Sequence, residues 1–273
     1  MGYVDLILNF AGLLLWLNWR SLRFDPLARR RPATLMGTLR PASPKKIRRW
    51  HMLVFLAGLL FLRAFIYHWI ASSWVGQLDL GVTVLPFKGN LLGRILIYSF
   101  CSFGLVLAVF YIVLLLLSLL KGPDPIHGLV KIPLGRVDGW PAWAKIILPF
   151  VVIAAGWWLA CGLFGWLQFL PPSSMAARFE QSLVIGLEGY LVWKFPLGAL
   201  LGLHLLNSYI YFGKHPFWKY VNATAQTMLS PLKKFPLRTG KVDFAPVLAL
   251  VLLFLAAEFA GRGLNLLYAR LPF

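Results

Sequence analysis

Acidic residues are scarce in this chain. Nine Asp and Glu stand against 27 Lys and Arg, and the four types together make only 13% of the 273 residues. A soluble domain carries about a quarter charged residues, so a solvated globular surface is excluded. Cysteine is nearly absent as well. Cys101 and Cys161 both sit in apolar runs and form no CxxC, CxxCH or zinc spacing. That excludes a disulfide framework, c-type haem attachment and a cysteine-based zinc site. No Walker loop, HExxH or Gly-x-Ser-x-Gly occurs, so no familiar motif marks a catalytic centre. Transmembrane barrels need strands of about ten residues that alternate apolar and polar. Ile112 to Leu120 reads IVLLLLSLL and does not alternate.

What is present is hydrocarbon. Apolar residues make up 59% of the chain, with a mean hydropathy of +0.73. They come in runs long enough for the roughly 20 residues a helix needs to cross ~30 Å of lipid. Inside lipid every backbone N–H and C=O must find an internal partner, so such runs must be helical. The predicted fold is all-α and polytopic, with about six transmembrane helices in three hairpins and interfacial amphipathic helices. The spans fall near Val4–Trp19, His51–Ser72, Leu91–Leu120 and Trp143–Leu170, then one ending near Phe212, then Phe244–Leu267. Gly122-Pro123-Asp124-Pro125 and Pro171-Pro172 stop two of them, because proline cannot continue the hydrogen-bond ladder. The first span reads as a membrane helix and not as a cleaved leader, since its basic cluster follows the apolar run. For the fifth, an interfacial helix over about 178–193 is expected, with Pro196 in the first turn of the true span. The hairpin units are 1–72, 73–172 and 173–273, and residues 73–90 form a weakly polar stretch.

The formal charge of +18 would suggest nucleic acid in a soluble protein. Here its distribution points to topology instead. Residues 20–50, 121–145 and 213–243 carry 10, 4 and 6 basic residues, whereas the opposite loops carry only Lys88, Arg178 and Arg270. Cytoplasmic loops are the basic ones, so both termini are expected outside the cytoplasm, and no nucleic-acid partner is expected.

The loops before the fourth and sixth spans repeat. One reads Lys131-Ile-Pro-Leu-Gly-Arg-Val-Asp138, the other Lys234-Phe-Pro-Leu-Arg-Thr-Gly-Lys-Val-Asp243. Pro133, Gly135, Asp138 and Pro141 thus match Pro236, Gly240, Asp243 and Pro246. Asp138 and Asp243 are expected as helix N-caps, Pro141 and Pro246 in the first turn, and Gly135 and Gly240 in tight turns. Between Pro216 and Leu232, residues Phe217, Val221, Met228 and Leu232 recur at helical spacing beside lysines. That pattern suits a helix lying in the headgroup layer. A surface for anionic lipid or a partner is expected from Phe217, Trp218, Lys233, Lys234, Arg238 and Lys241.

The unit of apolar helix, amphipathic loop, Ser230-Pro-Leu-Lys-Lys-Phe-Pro236, Gly240-Lys-Val-Asp-Phe-Ala-Pro246 and apolar helix resembles the YggT family of bacterial and plastid membrane proteins. The match is clearest over Leu201 to Glu258, with a fainter copy over about 105–165. The resemblance implies a multi-pass protein of the bacterial inner membrane that is a helper and not an enzyme. Relatives are linked to envelope organisation, division and osmotic tolerance, and plastid relatives to cytochrome assembly and nucleoid distribution. No catalytic residue, metal or cofactor is implied.

Ionisable residues within apolar surroundings are costly and mark candidate sites. They are Arg63, Arg94, Glu188, Lys194, Glu258 and Arg262, all expected toward the outer half of the membrane. Glu258 and Arg262 stand in i,i+4 pairing reach. His68 and His204 are not read as haem ligands, because their expected depths differ. The expected function is a non-catalytic scaffold or assembly factor acting through anionic lipid and a membrane-protein partner or a second copy. The alternative is a small channel or carrier linked to osmotic stress.

Overall fold

The computed structural model describes residues 2–21, 49–70, 75–88, 91–120, 130–166, 174–210, 215–232, 238–239 and 242–271. In chain order they form α1 (Gly2–Ser21), α2 (Arg49–Ile70), β1 (Val75–Asp79), β2 (Val84–Lys88), α3 (Leu92–Leu119) and a 3-10 turn (Gly135–Gly139). Then come α4 (Ala142–Trp166), α5 (Met175–Glu188), a second 3-10 turn (Gly189–Trp193), α6 (Lys194–Tyr209), α7 (Pro216–Leu229), β3 (Arg238–Thr239), β4 (Val242–Asp243) and α8 (Ala245–Arg270). Among the described residues five stretches are long and apolar enough to cross a membrane: Trp50–Trp69, Leu92–Leu119, Ala142–Gly165, Met175–Tyr209 and Ala245–Arg270. Helix α1 is also 20 residues long, but Asp5, Asn9, Asn18 and Arg20 interrupt its apolar surface. The chain is an all-α polytopic membrane protein.

Two compact units divide it. The first comprises 1–78 and 85–107, the second 79–84 and 108–273. In the first, α1 packs on α2, and Leu56, Leu60 and Phe103 form a core with Leu15, Trp16 and Leu107. Gly12 lets α1 approach α3, since a Cβ there would stand 2.8 Å from the Phe103 ring. The weakly polar stretch contains a hairpin that composition did not reveal. Its first strand alternates exposed and buried residues. Its turn closes where Asp79 Oδ1 accepts the Gly81 N–H at 2.8 Å and Gly81 takes φ +84°, a value glycine adopts without steric cost.

In the second unit, α4 and α5 lie antiparallel along their lengths. A Cβ on Gly186 would meet the Phe150 ring at 3.0 Å and Ala154 at 3.1 Å, and the Tyr190 hydroxyl donates to the Ile146 carbonyl. Pro149 interrupts the ladder of α4 close by, since its missing N–H leaves the Lys145 carbonyl, one residue earlier, without its i+4 donor. The expected interfacial helix over 178–193 is therefore corrected. Gln181, Ser182, Val184 and Ile185 are buried, so this segment leans lengthwise on α4. Ser174 caps it by accepting the Ala177 N–H at 3.1 Å. The 3-10 turn then tightens the helix just before Pro196, which sits in the first turn of α6 as expected.

Val130 and Leu134 pack with Leu114, Leu115 and Leu148, and Ala225 and Leu229 pack with Leu201 and Ala245. Helix α7 is amphipathic as expected and buries one face against its neighbours, with Val221 and Ala225 both 0% exposed. The capping expectation is also corrected. Helix α8 begins after Phe244, with no side-chain cap, and Pro246 is in its first turn. Asp243 lies instead in β4, its backbone opposite Arg238. Asp138 falls in the 3-10 turn, and the helix start is taken by the Pro141 carbonyl, which accepts from Ala144 and Lys145 at 3.1 and 3.2 Å. Pro133 is buried in the helical turn 130–134. Pro236 and Gly240 lie outside the described residues.

Gly135 does adopt the conformation expected of it, with φ +59°. Gly135→Ala is therefore expected to cost about 1–2 kcal/mol, read as a lower melting temperature in detergent. Gly139→Ala, with nothing within 4 Å of the new Cβ, is expected to change stability by less than about 0.5 kcal/mol. Equal losses for the two would rule out strain at Gly135 as the cause.

Candidate functional site

Three helices of the first unit each present polar residues one turn apart: Asp5 and Asn9 on α1, Arg63 and Tyr67 on α2, Tyr98 and Ser102 on α3. Residues four apart share a helix face, so each pair points into the same interior. Arg63 and Tyr67 are both 0% exposed. One terminal nitrogen of Arg63 donates to Asn9 Oδ1 at 2.8 Å. The other donates to Asp5 Oδ1 and to Ser102 Oγ at 3.0 Å. The Asp5 carboxylate also accepts from the Tyr67 hydroxyl at 2.7 Å and from the Tyr98 hydroxyl at 3.1 Å. The guanidinium stands 5.7 and 5.3 Å from the Tyr67 and Tyr98 ring centres, within cation–π range. Ser99 adds a bond to the Leu60 carbonyl at 2.9 Å. This arrangement neutralises a buried arginine and ties three helices together, and Arg63 Nε has no acceptor among the described residues.

A second knot lies in the other unit. Lys145 Nζ donates to Ser118 Oγ at 2.7 Å, Ser118 donates to Asp138 Oδ1 at 2.6 Å, and the Lys145 ammonium is 3.8 Å from that carboxylate. The ends of α3 and α4 are held together through the 3-10 turn. Asp138 stands in the 3-10 turn, ahead of the helix start at Ala142. Its Oδ1 takes a hydroxyl and a charged donor instead, and charge-assisted bonds are the stronger ones.

Of the six ionisable residues singled out by sequence, Arg63 is the hub of the first knot. Arg94 lies in the first turn of α3. Glu188 ends α5, and its carboxylate lies so close over Gly81 that a Cβ there would overlap it. Its Oε2 is buried with no partner among the described residues. Lys194 begins α6, its Nζ 5.3 Å from the Phe195 ring centre. Lys194 and Glu258 face a shallow groove of about 520 Å³ with Leu250, Val251, Phe254 and Leu255. Glu258 and Arg262 do pair, at 2.9 Å, with their side chains 59% and 71% exposed. Glu258 stands at the middle of α8 and not toward one end. Glu188 and Lys194 flank the second 3-10 turn.

Of the expected lipid or partner surface, Phe217 is exposed and Trp218 half-buried, with their rings 5.2 Å apart. Arg238 lies in β3, and Lys233, Lys234 and Lys241 fall outside the described residues. His204 Nδ1 is 2.9 Å from Asn222 Oδ1, joining α6 to α7.

Sequence reasoning found Arg63 but not its partners. Asp5, Asn9, Tyr67, Tyr98 and Ser102 carry a readable signal only in hindsight, as polar pairs spaced i,i+4 within long apolar helices. Ser118, alone in a leucine run, gave no such signal. No protein family, curated protein or solved structure matches the chain.

Removing one partner of a buried ion pair strands the other. Arg63→Met is expected to cost about 3–5 kcal/mol, measured by thermal unfolding in detergent. The double variant Asp5→Asn, Arg63→Met is expected to be more stable than Arg63→Met alone. Additive losses would mean that the two side chains do not act on each other.

Proposed function

We propose that this chain is a non-catalytic scaffold or assembly factor of the YggT type in the bacterial inner membrane, with both termini outside the cytoplasm. The observation that carries the reading is the use of its buried charges. Arg63 is consumed by Asp5, Asn9 and Ser102, and Lys145 by Ser118 and Asp138. Charges committed to neighbours in the same chain stiffen a frame. A site for a passing ion needs groups free to exchange partners. The orientation rests on the excess of basic residues in 20–50, 121–145 and 213–243. On that side, Lys233, Lys234, Arg238 and Lys241 would attract anionic headgroups, each by about 1 kcal/mol.

A small channel or carrier linked to osmotic stress is the second reading. The buried, unpartnered Oε2 of Glu188 is the observation that favours it.

Replacing Lys233, Lys234, Arg238 and Lys241 together by Gln is expected to lower the anionic lipid retained through detergent purification. The difference from wild type should shrink at high salt, where charge attraction is screened. Liposomes holding the purified protein are expected to keep a trapped dye through an osmotic downshift. Dye release abolished by Glu188→Gln would replace the scaffold with the channel.

A further inference from the structure

Helix α8 is the least buried of the five candidate spans. Only 6% of its apolar window is buried, against 17–33% for the others. Along one face Leu255, Glu258, Phe259, Arg262 and Leu266 follow helical spacing, and all five are exposed. Lipid tails suffice to cover the leucines and the phenylalanine. They do not suffice for the ion pair, which lies at mid-helix, where the bilayer offers no hydrogen bond. Arg262 donates from Nε to Glu258 Oε1 at 2.9 Å, and its two terminal nitrogens have no acceptor among the described residues. The carboxylate likewise has capacity for further donors.

We propose that a second copy of this chain docks on this face, α8 against α8, about a two-fold axis along the membrane normal. Charge complementarity identifies the occupant. Copies inserted the same way up bring their α8 helices together in parallel. Glu258 of one copy then stands about 6 Å in depth from Arg262 of the other, one helical turn, which the long arginine side chain spans. A two-fold interface requires a self-complementary patch, and an acid and a base one turn apart form one. Four charges meet as two crossed pairs with no net charge. Ala256 and Ala260, exposed beside the stripe, allow the backbones to approach closely. A lipid would supply neither the carboxylate nor the guanidinium at this depth. The inference needs only that α8 crosses a membrane, and it stands or falls apart from the scaffold reading.

The test uses the full chain in native membranes, with Cys101 and Cys161 replaced by Ala and Phe259→Cys as the cross-linking handle. Oxidation is expected to yield a disulfide-linked dimer. Phe179→Cys, 58% exposed on α5, is expected to yield none. Glu258→Arg alone and Arg262→Glu alone, each carrying the handle, are expected to lose at least about tenfold of the cross-linked fraction, because like charges then face each other. Co-expressed, the two variants are expected to recover it, since each supplies the charge the other lacks, and recovery requires both to be folded. The proposal is overturned if Phe259→Cys gives no dimer or links to a different protein. It is equally overturned if either reversal cross-links like its parent, or if the mixed copies fail to recover the dimer.

Discussion

A polar group carried into a bilayer has no water to bond, and an unsatisfied one costs several kcal/mol. The long helices here are organised around that constraint. Arg63 enters the first unit fully buried and draws oxygen atoms from α1 and α3 toward α2. Lys145 does the same at the junction of α3, the 3-10 turn and α4. The constraint acts on backbone groups too. The Tyr190 hydroxyl donates to the Ile146 carbonyl, and Trp193 Nε1 donates to the Ile112 carbonyl at 3.2 Å.

Apolar packing cannot supply such specificity in lipid. Leucine meets lipid tails as readily as it meets leucine, so helix association relies on close fit and on polar bonds. Close fit is visible at Gly12 against Phe103 and at Gly186 against Phe150 and Ala154. Polar bonds then select the register, because Arg63 reaches Asn9, Asp5 and Ser102 in only one alignment of the three helices. Small apolar clusters add a third layer: Leu134 packs with Leu114 and Leu115, and Leu229 with Leu201 and Ala245.

Arg63 and Lys145 are both committed to neighbours in the chain. Glu258 and Arg262 are paired only with each other on an exposed helix face.

The class of fold was legible from composition alone, because runs of some twenty apolar residues have one stable conformation in lipid. Span positions followed, as did the turn at Gly135 and the pairing of Glu258 with Arg262, which depend on neighbours in sequence. The hairpin at 75–88 was not legible, since its alternation covers only five residues per strand. Capping is a local rule, and neither Asp138 nor Asp243 stands at the helix start: Asp138 falls in the 3-10 turn, where Ser118 and Lys145 reach it, and Asp243 lies in β4, one residue before the N-cap position at Phe244. The segment 178–193 and helix α7 have the amphipathic pattern of interfacial helices, and the structure packs one face of each on protein. A polar face shields a helix equally well against water or against polar neighbours, so periodicity cannot separate the two. Tertiary structure alone decided which residues completed the Arg63 site. Asp5 and Ser102 are 97 residues apart in the chain, and no local interaction links them until the helices pack.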